Sequence, residues 1–309
     1  MQPLYLRSNE GFSQSSPPGS PMSRRYAYSL IYCATALAAC APNPPAETAI
    51  DAAPIIAAER AFAAEVAANG WNAGVRAFAT ADAIGLNPGP VKVMSTLTPD
   101  DDEGGSPLQW WPAYAGIARS GDFGFTTGPY SFIGQGYVGH YFTVWRKQPD
   151  GGWKWIFDGG VDVLDDAPPA QDATVEQMPV AARDGESEQD ALRAVKALDA
   201  ALAAEAAQDA PAAIASRLSA DARVNRASLP RAVGLEASRA ALAEHAHAIR
   251  FEAAGAAASQ AGDMVFTYGS ARWTAGGQDT IGYYARIWQM RPEGWRLVFD
   301  EIVPHRDPP

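Results

Sequence analysis

The chain has 309 residues, 47% of them hydrophobic and 19% charged, with 24 Lys and Arg against 35 Asp and Glu for a net charge of −11. That is too apolar for a disordered chain, and too acidic for a nucleic-acid partner, which needs a basic face to neutralise phosphates. Two Cys and four His exclude a disulfide scaffold, leave little material for a metal centre, and come with no phosphate-binding or dinucleotide-binding motif, so no metal and no cofactor are expected.

Residues 1–21 are polar and rich in Ser, Pro and Gly, and read as a disordered stretch or a start placed too early, because Met22 opens a signal of ordinary length. Residues 22–39 have the order of a secretory signal: the basic Ser23-Arg24-Arg25, then the uncharged run Tyr26–Ala39. That run is shorter than the about 20 apolar residues of a membrane span. It ends Leu37-Ala38-Ala39-Cys40, which resembles the lipobox of bacterial lipoproteins. The resemblance implies lipidation at Cys40, residues 40–51 as a tether, and a periplasmic lipoprotein of the cell envelope held in the outer membrane, with the lipid membrane as its partner. Cys33 leaves with the signal. So do Arg7, Arg24, Arg25 and Glu10, which takes a chain at −11 to −13; so acidic a body relies on its acyl chains for attachment.

Residues 52–68 carry Ile55, Ile56, Phe62 and Val66 at helical spacing, Asn69-Gly70 stops that helix, and Trp71–Ala79 reads as a second one. Val91–Leu97 is a short helix candidate, followed by the acidic loop Asp100–Glu103. The period then falls to two, predicting strands at 109–119, 122–132, 137–147 and 152–161 joined by Gly-bearing hairpin turns. Residues 165–188 read as an acidic linker. Leu192, Val195, Leu198 and Leu202 then predict a helix interrupted at Asp209-Ala210-Pro211. Ser238–Ala248 predicts another helix, and strands follow at 249–259, 263–273, 279–290 and 294–303.

The second series repeats the first. Gly121-Asp122-Phe123-Gly124-Phe125-Thr126-Thr127-Gly128 matches Gly262-Asp263-Met264-Val265-Phe266-Thr267-Tyr268-Gly269. Likewise Gly139–Trp145 matches Gly282–Trp288, and Pro149–Asp158 matches Pro292–Asp300 with one residue deleted. Order and an offset of about 140 residues persist across the blocks, so the chain reads as one domain written twice, over 52–164 and 189–304, with 305–309 as a tail. Each copy is an α+β unit of helices then an antiparallel meander. Several strands are apolar on both faces. The helices cover one face, and the other needs a partner sheet.

The ordered set Gly-Asp-x-x-x-Thr-x-Gly, Gly-x-Tyr-x-x-x-Trp and Pro-Asp-Gly-Gly-Trp-Lys-x-x-x-Asp in the first copy resembles the SnoaL-like domains of the nuclear transport factor 2-like superfamily; the second copy matches less well. The resemblance implies two cone-shaped domains, each a strongly bent antiparallel sheet wrapped on N-terminal helices around a pocket. It also implies pairing through the outer sheet faces, here as an intramolecular pseudo-dimer. The superfamily holds isomerases, cyclases and dehydratases as well as binding and assembly modules, so the fold does not choose among them.

The candidate groups follow from residue chemistry. His140 lies in the alternation Val138, His140, Phe142, Val144, and a buried His could serve as a base. Asp158 recurs as Asp300, and each is as readily a structural partner of Lys154 or Arg296 on its own strand. Tyr114, Tyr130 and Tyr141 complete the catalytic candidates. Trp71 and Trp111 have no Trp counterpart in the second copy, and with Tyr114, Phe125 and His140 are the expected lining for an apolar or aromatic small molecule. Two readings stay open: a ligand-binding or assembly module, and an isomerase or dehydratase-type enzyme with its pocket in the first copy.

Overall fold

The computed structural model describes residues 50–86, 89–98, 105–164 and 168–305. The signal at 22–39, Cys40, most of the tether, the acidic loop Asp100–Glu103 and the tail beyond His305 lie outside the described residues. Helix α1 (Ala53–Asn69) starts at a proline, Pro54, which needs no helical N–H partner in the first turn. Its buried face is Ile55, Glu59, Phe62 and Val66, a spacing of four, three and four that places them on one side. Gly70, at φ 88, ends α1 by donating to Val66 O at 2.9 Å and at once opens α2 (Trp71–Phe78). A residue with a Cβ is strained at that φ.

Strands β1 (Ala79–Gly85), β2 (Val91–Lys92), β3 (Leu108–Trp110), β4 (Tyr114–Ile117), β5 (Phe123–Phe132), β6 (Tyr137–Lys147), β7 (Trp153–Asp162) and β8 (Glu176–Gln177) form the first sheet. Its order is β2-β1-β7-β6-β5-β4-β8, with β3 also on β5. The expected strand 109–119 is broken into β3 and β4 at Pro112, which cannot donate to a ladder. The expected helix at Val91–Leu97 is instead β2 and a single 3-10 turn, Val93–Ser95. Part of the expected linker also has structure: β8 pairs in parallel with β4, and Val175 and Met178 beside it are buried.

Helix α3 (Glu188–Ala215) is capped by Ser187, whose side chain accepts from the Asp190 N–H. It breaks at Asp209 (φ −149, ψ 89), and Asp209 Oδ1 then caps the restarted turn by accepting from Ala212 N at 3.0 Å. Strands β9 (Leu218–Arg226) and β10 (Ala232–Val233), helix α4 (Leu235–His245), and strands β11 (Arg250–Ala258), β12 (Met264–Ala275), β13 (Gln278–Arg291) and β14 (Gly294–Pro304) complete the chain. The second sheet runs β10-β9-β14-β13-β12-β11.

Apart from β8 and β3, the two orders coincide position by position. In each sheet the strand after the helices pairs in parallel with the last strand, β1 with β7 and β9 with β14. Both sheets are therefore mixed rather than antiparallel meanders. Both lie in one unit that begins at Thr48.

A cluster between the sheets draws Phe125, Phe142, Val144 and Phe157 from the first and Phe266, Ile287, Val298 and Phe299 from the second. Phe142 stacks on Phe299 with centroids 4.2 Å apart and planes 8° from parallel. Two matching turns also brace each other: Arg119 N donates to Asp263 Oδ2 at 3.0 Å, and Gln260 N donates to Asp122 Oδ2 at 3.2 Å. Among the described residues, no helix is long and apolar enough to cross a membrane.

Candidate functional site

Between α1, α2 and the inner face of the first sheet lies a cavity of about 630 Å³. Three cross-strand rows of β5, β6 and β7 run beneath it, Thr126–Thr143–Asp158, Gly128–Tyr141–Gly160 and Tyr130–Gly139–Asp162, and of these Tyr130, Tyr141, Asp158, Gly160 and Asp162 line it. Three of the nine positions are glycine, and Gly160 leaves the wall bare opposite Tyr141. Gly139 also lets Tyr130 reach across β6. A Cβ there would come within 2.9 Å of the Tyr130 ring, and the Tyr130 hydroxyl donates over it to Asp162 Oδ1. Trp71 and Trp110 supply aromatic wall, packed on Phe62 at 5.9 and 5.1 Å. Val303 and Pro304, at the end of β14, add wall from the second sheet.

The first row lies under α1. Glu59 is fully buried there and accepts from Trp110 Nε1 at 2.6 Å, Trp145 Nε1 at 3.0 Å and the Thr126 hydroxyl. Burial raises its pKa against the pull of those donors. Asp158 has part of its surface open to the cavity, and its Oδ1 accepts from Thr143 Oγ1 at 2.7 Å. Burial, and then the nearby Glu59, push Asp158 up to about 8. Among the described residues, the lining contains two carboxyls, Asp158 and Asp162, and no Lys, Arg or His. Asp158 is therefore a neutral acid at pH 7, able to donate a hydrogen bond into an apolar space. Tyr141, beside it, is raised well above the usual tyrosine range by burial and by Glu59.

The matching rows of the second sheet show what that interior looks like when it is filled. Arg286 stands opposite Asp300 where Thr143 stands opposite Asp158, and Ile302 stands where Gly160 does. Arg286 Nε donates to Asp300 Oδ1 at 2.7 Å, Arg286 Nη1 to Asp199 Oδ1 at 2.8 Å, and Arg226 Nη2 to Asp300 Oδ2. Burial would raise Asp300, but the two guanidiniums together hold it below the usual carboxylate range. Tyr284 closes the set by donating to Asp199 Oδ2 at 2.9 Å.

Of the residues expected from sequence, Trp71, Tyr130, Tyr141 and Asp158 line the cavity. His140, Tyr114 and Phe125 do not; they lie on the opposite face, between the sheets. His140 does share a face with Phe142 and Val144, but that face is the buried sheet interface, and a bulge at Val138 turns Val138 alone into the cavity. His140 is 2% exposed, and burial, with Arg231 and Arg223, pushes it down to about 3. Tyr114, its ring 3.6 Å beneath the Arg223 guanidinium, is pushed up to about 12 by burial. Trp111 is tied outside the cavity by donating from Nε1 to Pro169 O at 2.9 Å. Lys154 does not pair with Asp158; its Nζ donates to Ala77 O at 2.8 Å, and Arg296 lies beside Glu293 rather than Asp300.

Sequence reasoning missed Glu59 and Asp162. Glu59 had a visible signal, a charge on the apolar stripe of α1. Among the described residues no cluster of His, Cys, Asp and Glu could hold a metal ion.

No protein-family model matches the chain, and a search of curated proteins gives no match. Solved structures similar to part of it include an NTF2-like protein of unknown function from Pseudomonas putida, at 14% identity over 38% of this chain and 89% of that one, TM-score 0.32. A second is an epoxide hydrolase/cyclase-like enzyme of salinomycin pyran-ring formation, at 16% identity over 37% and 92%, TM-score 0.31. A third is an NTF2-like protein with a cystatin-like fold from Novosphingobium aromaticivorans, at 16% identity over 38% and 82%, TM-score 0.31.

Proposed function

We propose that residues 52–164 are a SnoaL-like domain whose cavity binds a small, neutral, apolar or aromatic molecule. In this reading residues 189–304 are a second copy whose interior is filled by Arg286 and Ile302, paired back to back with the first. The chain would be held at the envelope membrane by lipid on Cys40. The observation that carries the binding reading is the hollow interior with Asp158 on its wall and, among the described residues, no cation in its lining. Such a space favours an uncharged ligand and offers it one strong donor.

The test is titration of the full chain with the neutral dye N-phenylnaphthylamine, against a Val138→Trp variant that fills the cavity from its part-exposed bulge. Saturable binding by the parent and its loss in the variant are expected, with unchanged circular dichroism. Absence of saturable binding to the parent refutes the reading. For the anchor, Cys40→Ser releases the protein to the soluble fraction; continued membrane association rules it out.

A second reading, an isomerase or dehydratase-type enzyme, is favoured by one feature: a carboxylic acid kept neutral at pH 7 beside the Tyr141 ring in an apolar site. It predicts solvent deuterium exchange into a bound cyclic ketone, followed by NMR, that Asp158→Asn abolishes while ketone binding persists. No exchange above the buffer rate ends it.

A further inference from the structure

Three neighbouring donors in the second interior have no acceptor among the described residues: the Thr267 hydroxyl, Arg286 Nη2 and Trp288 Nε1. None of the three residues is more than 2% exposed. Register makes them neighbours. Thr267 stands directly opposite Arg286 across the β12–β13 ladder, and Trp288, two positions on from Arg286, faces the same core. Arg226 Nε has no acceptor either, but Arg226 enters from β9, on the other side of the Asp300 strand. Buried donors left unmet are costly, most of all on a charged group.

The first interior shows what such donors meet. Trp145 and Thr126 hold the places of Trp288 and Thr267 in the repeat. Trp145 Nε1 and the Thr126 hydroxyl both donate to Glu59 Oε2, the indole at 3.0 Å, and Nε1 lies 3.1 Å from Thr126 Oγ1. One carboxylate oxygen therefore satisfies both. In the second copy the matching position on the buried face of the helix, about 140 residues on, is Asp199. Its side chain is a methylene shorter, and its oxygens are engaged elsewhere. Oδ1 accepts from Arg286 Nη1 at 2.8 Å and Oδ2 from the Tyr284 hydroxyl at 2.9 Å. The second copy thus keeps the Trp and Thr donors, moves the acceptor away from them, and adds a guanidinium donor beside them.

From this arrangement we infer that Thr267, Arg286 and Trp288 hold a single monatomic anion of chloride size, seated under α3 where the Glu59 oxygen sits in the first copy. Three donors select a ligand that only accepts, because it brings no protons in need of acceptors of their own. The charge balance permits it. Arg226 and Arg286 are paired with Asp199 and Asp300, so one anion gives this interior the single negative charge that an ionised Glu59 gives the first. Burial pushes His245, which stacks near Trp273, down to about 4, so it is neutral at pH 7. Larger anions are disfavoured, because Arg286 and Ile302 take the space left by Thr143 and Gly160 in the first copy. This site is separate from the first cavity and independent of what that cavity binds.

The test is urea unfolding of the full chain at pH 7 in sodium chloride, with sodium gluconate keeping ionic strength constant so that surface screening does not change. Chloride should stabilise. Once the site is saturated, each tenfold rise in chloride should lower the unfolding constant by about tenfold, the mark of one ion per chain. Bromide should replace chloride, and crystals grown in bromide should carry an anomalous peak among Thr267, Arg286 and Trp288. Thr267→Val removes one donor and keeps the side-chain shape. It should raise the chloride concentration required by about tenfold or more, the size of a hydrogen bond to a charged group. Asp199→Glu gives the carboxylate the reach of Glu59 and should abolish the chloride dependence; if that variant fails to fold, Thr267→Val and the bromide peak still decide.

Equal stability of the parent in chloride and gluconate overturns the inference, as does an ordered water among the three donors in bromide-grown crystals. A chloride dependence that Thr267→Val leaves unchanged puts the ion elsewhere and overturns it too. None of these results bears on the first cavity, which the dye titration tests by itself.

Discussion

Replacing Asp158 by Asn should make the protein more stable in alkali, although it removes a hydrogen-bonded acid from a structured site. Asp158 titrates at about 8 in the folded chain against 3.8 for an ordinary Asp. Between those values the unfolded chain has released the proton that the folded chain retains. Stability from this group is therefore full below about pH 3.8 and is lost as pH rises through about 8. The loss runs at up to about 1.4 kcal/mol per pH unit and tapers near the folded pKa, so from pH 6 to pH 8 it comes to roughly 2 kcal/mol.

Asn keeps the acceptor for Thr143 and has no proton to lose. It also relieves Glu59, one of the causes of the shift, and that effect has the same sign. The assay is urea unfolding of parent and variant across that range. Glu301, also pushed up to about 8, chiefly by burial and in small part by Asp158, destabilises both proteins; the part owed to Asp158 is relieved in the variant and adds to the difference with the same sign. The variant should gain roughly 2 kcal/mol on the parent between pH 6 and pH 8. A difference that does not change with pH would show that Asp158 is ionised in the cavity, and would refute the neutral-donor argument.

Three further outcomes follow from the packing. Arg286→Met leaves the buried Asp199 with no guanidinium and Asp300 with Arg226 alone, and should cost about 3–5 kcal/mol in urea unfolding, the price of breaking a buried ion pair from one side. Glu59→Gln leaves at least one of the donors Trp110, Trp145 and Thr126 without an acceptor. It should cost about 1–3 kcal/mol and also reduce the alkaline loss attributed to Asp158, both read from unfolding curves at pH 6 and pH 8. Phe142→Ala, which empties the stack on Phe299, should cost about 3–5 kcal/mol by thermal or urea unfolding, with ligand binding retained because Phe142 faces away from the cavity.

The elements legible in sequence were those with large side chains in a regular period. The expected strands 137–147 and 122–132 differ from β6 and β5 by at most one residue, because aromatic and β-branched residues alternate there. The break in α3 at Asp209 was legible too, since Asp and Pro two residues apart supply a cap and a first-turn residue. Strand β1 was not: Ala-Thr-Ala-Asp-Ala-Ile-Gly offers small residues and turn formers, and only Ala79 and Ala83 are buried. Its counterpart β9 hides its pattern differently, burying Arg223 and Arg226 among the positions where apolar residues would mark a strand. Missing these two strands concealed the parallel pairing that makes each sheet mixed.

The site was less legible than the fold, for a reason that the two sheets make concrete. Asp158 and Asp300 end the same phrase, Phe-Asp, in the same strand position, and a matched pair suggests a matched role. Their chemistry is opposite. What decides it is the residue across the ladder, Thr143 in one case and Arg286 in the other, and the residue two places on, Gly160 or Ile302. A hydroxyl and a glycine leave the acid uncompensated beside a hollow; a guanidinium and an isoleucine neutralise it and fill the space. The difference between Gly159-Gly160 and Glu301-Ile302 is visible in the chain, but it acquires chemical meaning only through register, which places residues of separate strands in one row. His140 is the converse case. Its alternation with Phe142 and Val144 marks a shared face, yet nothing local to β6 distinguishes the face toward the helices from the face toward the second sheet. That choice is made by Phe266, Ile287 and Phe299, more than a hundred residues away in the chain.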